Sequence, residues 1–228
     1  MLLLPTADCP LPTFMKLVIG LGNPGRDYVG TRHNVGFELV DQLANRLGWI
    51  GSAAQFDTLA RTKFEALALD GVVTLQGGGS DKMLLLKPMT YMNLSGRTVQ
   101  AAMSFYQLTP ADVMIVLDDI ALPAGRIRVR GGGSSGGHNG LKDIERALGT
   151  SQYPRLRVGV DAAPPRIPGR DYVLGRFTDE QRTRVDPAIK RSTDALMIWI
   201  EKGINAAMNV FNADEKDETG GQGDKGTR

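Results

Sequence analysis

The 228-residue sequence is poor in the residues that build covalent or metal frameworks, with one cysteine, Cys9, and two histidines, His33 and His138. A single thiol excludes a disulfide framework, a CxxC redox pair and a thiolate metal site. A site of two histidines and a carboxylate is conceivable, but neither an HExxH motif nor a closely spaced histidine pair occurs, so no metal and no other cofactor is expected. No apolar run approaches the roughly 20 residues that cross a bilayer, which argues against a membrane partner. Residues 1–14 open with Leu2, Leu3 and Leu4, but they lack a basic start and are broken by Pro5, Pro10 and Pro12. They do not read as a secretory signal, and the cytoplasm is the expected location. An excess of one charge is also missing, with 27 Lys and Arg against 25 Asp and Glu. The near balance hides an uneven distribution. Residues 213–228 carry five acids and three bases, which leaves 24 bases and 20 acids in the rest. A mildly basic body is compatible with an anionic partner without requiring one.

What is present is an alternation of strand and helix signals. Lys16–Gly20 is a short apolar strand leading into the turn-rich stretch Leu21–Gly30. Thr31 is a candidate helix cap, followed by Val35, Leu39, Leu43 and Leu47 at four-residue spacing, with Gly48 as the stop. Residues 57–75 and 83–87 read as strands around the loop Gly77–Gly79, and a helix is expected from Ser95 to Tyr106. Val113–Leu117 has the apolar content of a buried strand. Arg126–Arg130 alternates Arg, Ile, Arg, Val, Arg, which puts three guanidinium groups on one strand face. The glycine-rich run Gly131–Gly140 precedes a helix at 141–149, a strand at Arg155–Val160, a Pro-rich loop at 164–168 and a long helix over Asp179–Asn209. The fold class is α/β, a single domain over residues 15–212. Residues 1–14 and 213–228 are expected to be a disordered extension and a disordered tail of glycine and charge.

Three stretches match known motifs in form, and each has a plainer structural reading. Gly20-x-Gly22-x-x-Gly25 has the spacing of a dinucleotide fingerprint, but Pro24 fills the turn and the amphipathic stripe starts ten residues after Gly25. That distance leaves no helix N-terminus for a pyrophosphate, so a close-packed strand exit is the better reading. Gly132-x-Ser134-x-Gly136 has the spacing of a nucleophile elbow, which requires an acid and then a histidine downstream. Only His138 follows, four residues on and in the same loop. The run Gly131–Gly140 lacks the Gly-Lys-Ser/Thr ending of a P-loop, although a general anion-binding loop stays open.

A set of polar residues survives: Asn23, His33, Asn93, Asp118, Asp119, His138 and Asn139. Several sit at strand exits and helix starts, where sites assemble in open α/β sheets. Any one of them, taken alone, is more simply a turn former or a cap. Four blocks give the set a context: KLVIGLGNPGRDYVGTRHN over Lys16–Asn34, KPMTYMNLSG over residues 87–96, LDDIALPAG over Leu117–Gly125, and GSSGGHNGL over Gly133–Leu141. In this order and at these spacings the chain resembles the bacterial peptidyl-tRNA hydrolases, and YVLGRF at 172–177 extends the match.

The resemblance implies a monomeric α/β domain with a twisted mixed β-sheet flanked by α-helices. It also implies hydrolysis of the ester joining a peptide to the 3′ ribose of tRNA, with peptidyl-tRNA as partner and no obligate protein partner. By the same match His33 is the catalytic base, and Asp118 is its carboxylate partner. Asn23, Tyr28, Met92, Asn93 and Asn139 bind substrate, and Lys142 and Arg157 contact tRNA phosphates. His138 is given a structural or binding role. These residue types suit the chemistry, because histidine can take a proton from water near neutral pH and Asn amides can donate to a developing oxyanion. The chain departs from the family pattern at Asp161, where glycine is common, and in the Pro-rich loop that follows, which puts the shape of that loop in doubt. The rival reading is a catalytically idle RNA-binding scaffold of the same fold.

Overall fold

The computed structural model describes residues 15–213. The segments expected to be disordered, 1–14 and 213–228, lie outside the described residues apart from Ala213. Seven strands form one mixed sheet: β1 Met15–Gly20, β2 Arg61–Lys63, β3 Ala66–Thr74, β4 Ser80–Pro88, β5 Val113–Asp119, β6 Ile127–Arg130 and β7 Arg155–Gly159. Their order is β2-β3-β4-β1-β5-β7-β6. The four central strands β4, β1, β5 and β7 run parallel, and antiparallel β2, β3 and β6 close the edges.

The helices are α1 Val35–Arg46, α2 Phe56–Leu59, α3 Ser95–Tyr106, α4 Asn139–Leu148, α5 Gly169–Leu174 and α6 Asp179–Phe211. Period-two alternation divides the core between the two faces of the sheet. Val18, Met83, Leu85, Met114 and Val116 point to one side, where Leu39, Val40 and Leu43 of α1 meet Leu196, Trp199 and Ile200 of α6. Leu17, Ile19, Leu84, Leu86, Ile115 and Leu117 point to the other, beneath Val99 and Ala102 of α3 and Leu141 and Ile144 of α4. Central strands buried on both faces have no polar side, which is why β5 reads as a continuous apolar run.

The α/β architecture with a mixed sheet agrees with the expectation, and several local readings need correction. Residues 57–75 are not one strand but α2 and the hairpin of β2 and β3. The hairpin turns on Phe64 and Glu65, both left-handed at φ 57° and 55°. Such two-residue turns normally announce themselves with Asn or Gly, and here that signal is missing. α5 lies between the Pro-rich loop and the long helix, where the sequence carries no helix signal. α6 extends to Phe211 and is kinked at Gly203, with φ 80°. Arg126 precedes β6, so Arg128 and Arg130 alone share the half-exposed strand face. Thr31 lies at the entry to a 3-10 turn over Arg32–Asn34 and donates its hydroxyl to the Tyr28 carbonyl instead of capping.

The glycines of the false dinucleotide motif have a packing explanation. A Cβ on Gly20 would stand 2.2 Å from the Gly36 carbonyl oxygen, and one on Gly36 would stand 2.5 Å from that of Leu21. α1 therefore crosses the exit of β1 backbone to backbone. That close crossing places the 3-10 turn carrying His33 beside the end of β5. Among the described residues no helix is long and apolar enough to cross a membrane.

Candidate active site

The C-terminal ends of the parallel strands are where loops can converge on a ligand. A cavity of about 790 Å³ opens there, lined by His33, Asp118, Asn23, Asn93, Asn139 and Arg157 among others. His33 reaches it from the 3-10 turn before α1, and Asp118 from the end of β5. Asn23 follows β1, Asn93 precedes α3, and Asn139 is the first residue of α4.

His33 and Asp118, 85 residues apart in sequence, are joined by a hydrogen bond of 2.8 Å from Nδ1 to Oδ1. The same carboxylate oxygen lies 3.2 Å from Nε2 of His138. His138 sits at the N-cap of α4, where its Nδ1 accepts from the Leu141 amide at 3.4 Å. That contact assigns the His138 proton to Nε2, so both imidazoles donate to Asp118 and Nε2 of neutral His33 keeps its lone pair. The side chain of Asp118 is 2% exposed. Burial alone would push its pKa up, but electrostatic attraction to the His33 ring and hydrogen bonds from His138 and His33 outweigh that. Together they hold the carboxyl well below the ordinary carboxylate range. The site therefore favours a buried carboxylate anion with an imidazole on each side, their ring centroids 5.0 Å apart.

The turn holding His33 is braced on both sides. The Asn34 carboxamide accepts from the Asn23 amide at 2.8 Å and donates to the Asn23 carbonyl at 3.0 Å. The amide of Arg32 donates to Gly175, and its buried guanidinium donates to the Tyr172 carbonyl and the Gln181 side chain. It also stacks over the Tyr172 ring at 4.1 Å. The Asn23 side-chain oxygen accepts from the Met92 amide at 2.9 Å, which leaves its NH₂ as the group available to a ligand. Met92 is buried, and a Cβ on Gly140 would stand 2.6 Å from its sulfur. Asn93 and Asn139 are exposed at the cavity, and Tyr28 is half-buried there.

The two residues expected to meet phosphates differ in setting. Arg157 lines the cavity, paired with Asp119 at 3.1 Å and donating to the Ser134 carbonyl at 3.0 Å. Lys142 is exposed on the first turn of α4, outside the cavity lining. Sequence reasoning missed the bond from His138 to Asp118 and the pairing of Arg157 with Asp119. It also missed the wall made by Gly169, Arg170, Val173 and Leu174 of α5. YVLGRF pointed toward that wall, whereas the two pairings leave no signal in the linear sequence. The absence of a close histidine pair in sequence proves no guide to space. His33, Asp118 and His138 are a group whose potential ligand atoms all lie within 4.8 Å of one another.

A family model described as peptidyl-tRNA hydrolase matches residues 17–219. The chain belongs to the peptidyl-tRNA hydrolase family. A peptidyl-tRNA hydrolase from Rhodopirellula baltica is 44% identical over 199 residues, covering 87% of this chain and 98% of the relative. One from Geobacillus kaustophilus is 45% identical over 198 residues, covering 87% and 100%. The crystal structure of peptidyl-tRNA hydrolase from Acinetobacter baumannii superposes with a TM-score of 0.76 at 33% identity. It spans 88% of this chain and 96% of that one. The peptidyl-tRNA hydrolase family thus accounts for the fold and for most of the chain length.

Proposed function

We propose that the chain is a peptidyl-tRNA hydrolase that cuts the ester between a peptide, or an N-blocked aminoacyl group, and the 3′ ribose of tRNA, with His33 as general base. The observation that carries this reading is the bond of 2.8 Å from His33 Nδ1 to a buried carboxylate at the floor of an open cavity. Nε2 of His33 takes a proton from water as the water oxygen bonds to the ester carbonyl carbon. The imidazolium that forms is stabilised by Asp118 across the ring. The NH₂ groups of Asn23 and Asn93 suit the oxyanion of the tetrahedral intermediate, a contribution of about 3–4 kcal/mol where donors are well placed. Collapse of the intermediate breaks the carbon–oxygen bond to the ribose, and His33 returns its proton to the departing 3′ oxygen. The products are a peptide carboxylate and free tRNA.

Asn139 is suited to bond a peptide carbonyl or to position water, and Tyr28 and Met92 to shape the pocket. Lys142 and Arg157 serve tRNA phosphates. In the register of β6 and β7, Arg128 stands directly opposite Arg157. The reaction requires no cofactor, and we place the enzyme in the cytoplasm as a monomer. The test is release of tRNA from N-acetyl-aminoacyl-tRNA. His33→Ala should lose nearly all turnover and keep tRNA binding. A variant with wild-type kcat refutes the mechanism, whereas a wild-type chain that binds tRNA but releases none from the substrate favours an idle RNA-binding scaffold.

A further inference from the structure

We infer that His33, Asp118 and His138 form a latent zinc site, and that a zinc ion seated there switches the hydrolase off. Two imidazole nitrogens and one carboxylate oxygen are the donor set of an open zinc site with a fourth position for water. Two of the three donor spacings are close to what the ion needs, and the three donor atoms all lie within 4.8 Å of one another, so closing the site asks the two rings to swing toward each other. In a tetrahedral centre with bonds of about 2.0–2.1 Å, donor atoms stand roughly 3.3–3.4 Å apart. The carboxylate oxygen is already 2.8 Å from His33 Nδ1 and 3.2 Å from His138 Nε2. Outward shifts of a few tenths of an ångström bring both contacts to that value. The carboxylate supplies the charge that favours a cation at this spot.

What occupies the space now is a pair of hydrogens, since both rings donate to the one oxygen. A cation replaces both. His33 then carries its proton on Nε2, and His138 carries its own on Nδ1. The second change sets that proton against the Leu141 amide, so the hydrogen bond of 3.4 Å is lost and the His138 ring must turn away from the amide as it swings onto the ion. Both rings and the carboxylate line the cavity, so an ion can reach them from solvent. His33 and His138 come from a turn before α1 and from the start of α4, and their sequence separation conceals the site from any spacing rule.

Inhibition follows from the ring chemistry and rests on the reading of His33 as base, whereas zinc binding does not. With zinc on Nδ1 and the proton on Nε2, the nitrogen that faces the attacking water has no lone pair to offer. Asp118 is meanwhile committed to the metal and no longer stabilises an imidazolium. Magnesium, which prefers octahedral oxygen ligands, should not compete for this donor set.

Chelator-treated full chain is titrated with zinc chloride by calorimetry, and the bound ion is characterised by X-ray absorption. The expected result is one zinc per chain with micromolar or tighter affinity, with nitrogen and oxygen ligands and no sulfur from Cys9. Asp118→Asn and His138→Gln, each checked for an unchanged melting transition, should weaken binding by at least about ten-fold. In a parallel assay, turnover of N-acetyl-aminoacyl-tRNA should fall as the site fills and recover with EDTA. EDTA alone should leave the enzyme fully active. Absence of stoichiometric binding, or binding that neither variant weakens, overturns the site. Zinc bound with turnover intact or raised overturns the switch, and the His33→Ala assay separately decides whether His33 is the base.

Discussion

Asp118→Asn changes one charge and almost no volume, at the position where charge should matter most. The amide oxygen can take the place of Oδ1 and still accept from His33 and His138, whose nitrogens lie 2.8 and 3.2 Å away. What disappears is the attraction between a buried carboxylate and the imidazolium that forms as water loses its proton. Two unit charges with centres about 4 Å apart interact by about 4 kcal/mol at an effective dielectric near 20. With half a charge developed in the transition state the loss is about 2 kcal/mol, and with a full charge about 4. The variant should therefore lose roughly thirty-fold to a thousand-fold in kcat, since each 1.36 kcal/mol is a factor of ten. KM should change little, because the carboxylate is spent on the two rings. The assay is release of tRNA from N-acetyl-aminoacyl-tRNA at saturating substrate, with circular dichroism melting to confirm the fold. A kcat within about two-fold of wild type would mean that Asp118 only packs the rings. A rise in KM at constant kcat would move it to substrate binding.

Lys142→Ala should raise KM for different tRNAs alike and flatten the dependence of log kcat/KM on log salt by about 0.7–0.9 units, while short 3′ fragments remain unaffected. Fragments that suffer as much as whole tRNA would remove Lys142 from the phosphate contacts. Arg157→Ala should act more strongly, because it also leaves Asp119 without its partner at the cavity wall. Away from the site, Lys87 lies within 2.7 Å of both Asp41 and Asp57, and burial pushes Asp41 up to about 6 against the pull of Lys87. A raised folded-state pKa gives stability that is complete below the ordinary value of 3.8 and lost as pH rises through about 6. Asp41→Asn should thus gain on wild type by on the order of 2–3 kcal/mol above that window, less whatever Lys87 forfeits with one partner gone. Urea midpoints across about pH 4 to 8 read the difference, and a gap that does not vary with pH refutes the assignment.

The sequence by itself determined what depends on local pattern. Apolar runs with nothing polar to expose specify buried parallel strands, as in Val113–Leu117. The four-residue stripe from Val35 specifies α1, and the glycines near residue 20 were legible as a close crossing once no helix followed to receive a phosphate. The four motif blocks were enough to name His33, Asp118, Asn23, Asn93 and Asn139, and the fold brings all five to one cavity. Tertiary structure decided what depends on distant partners. Nothing local shows that His138 donates to Asp118 as His33 does, since the carboxylate is 85 residues from one ring and 20 from the other. The pairing of Arg157 with Asp119 arises from the register of β5 and β7, which a pattern read one strand at a time cannot supply. The turn at Phe64–Glu65 is the same lesson on a smaller scale. Both residues accept a left-handed backbone that neither prefers, because the ladder joining β2, β3 and β4 outweighs the cost of the turn.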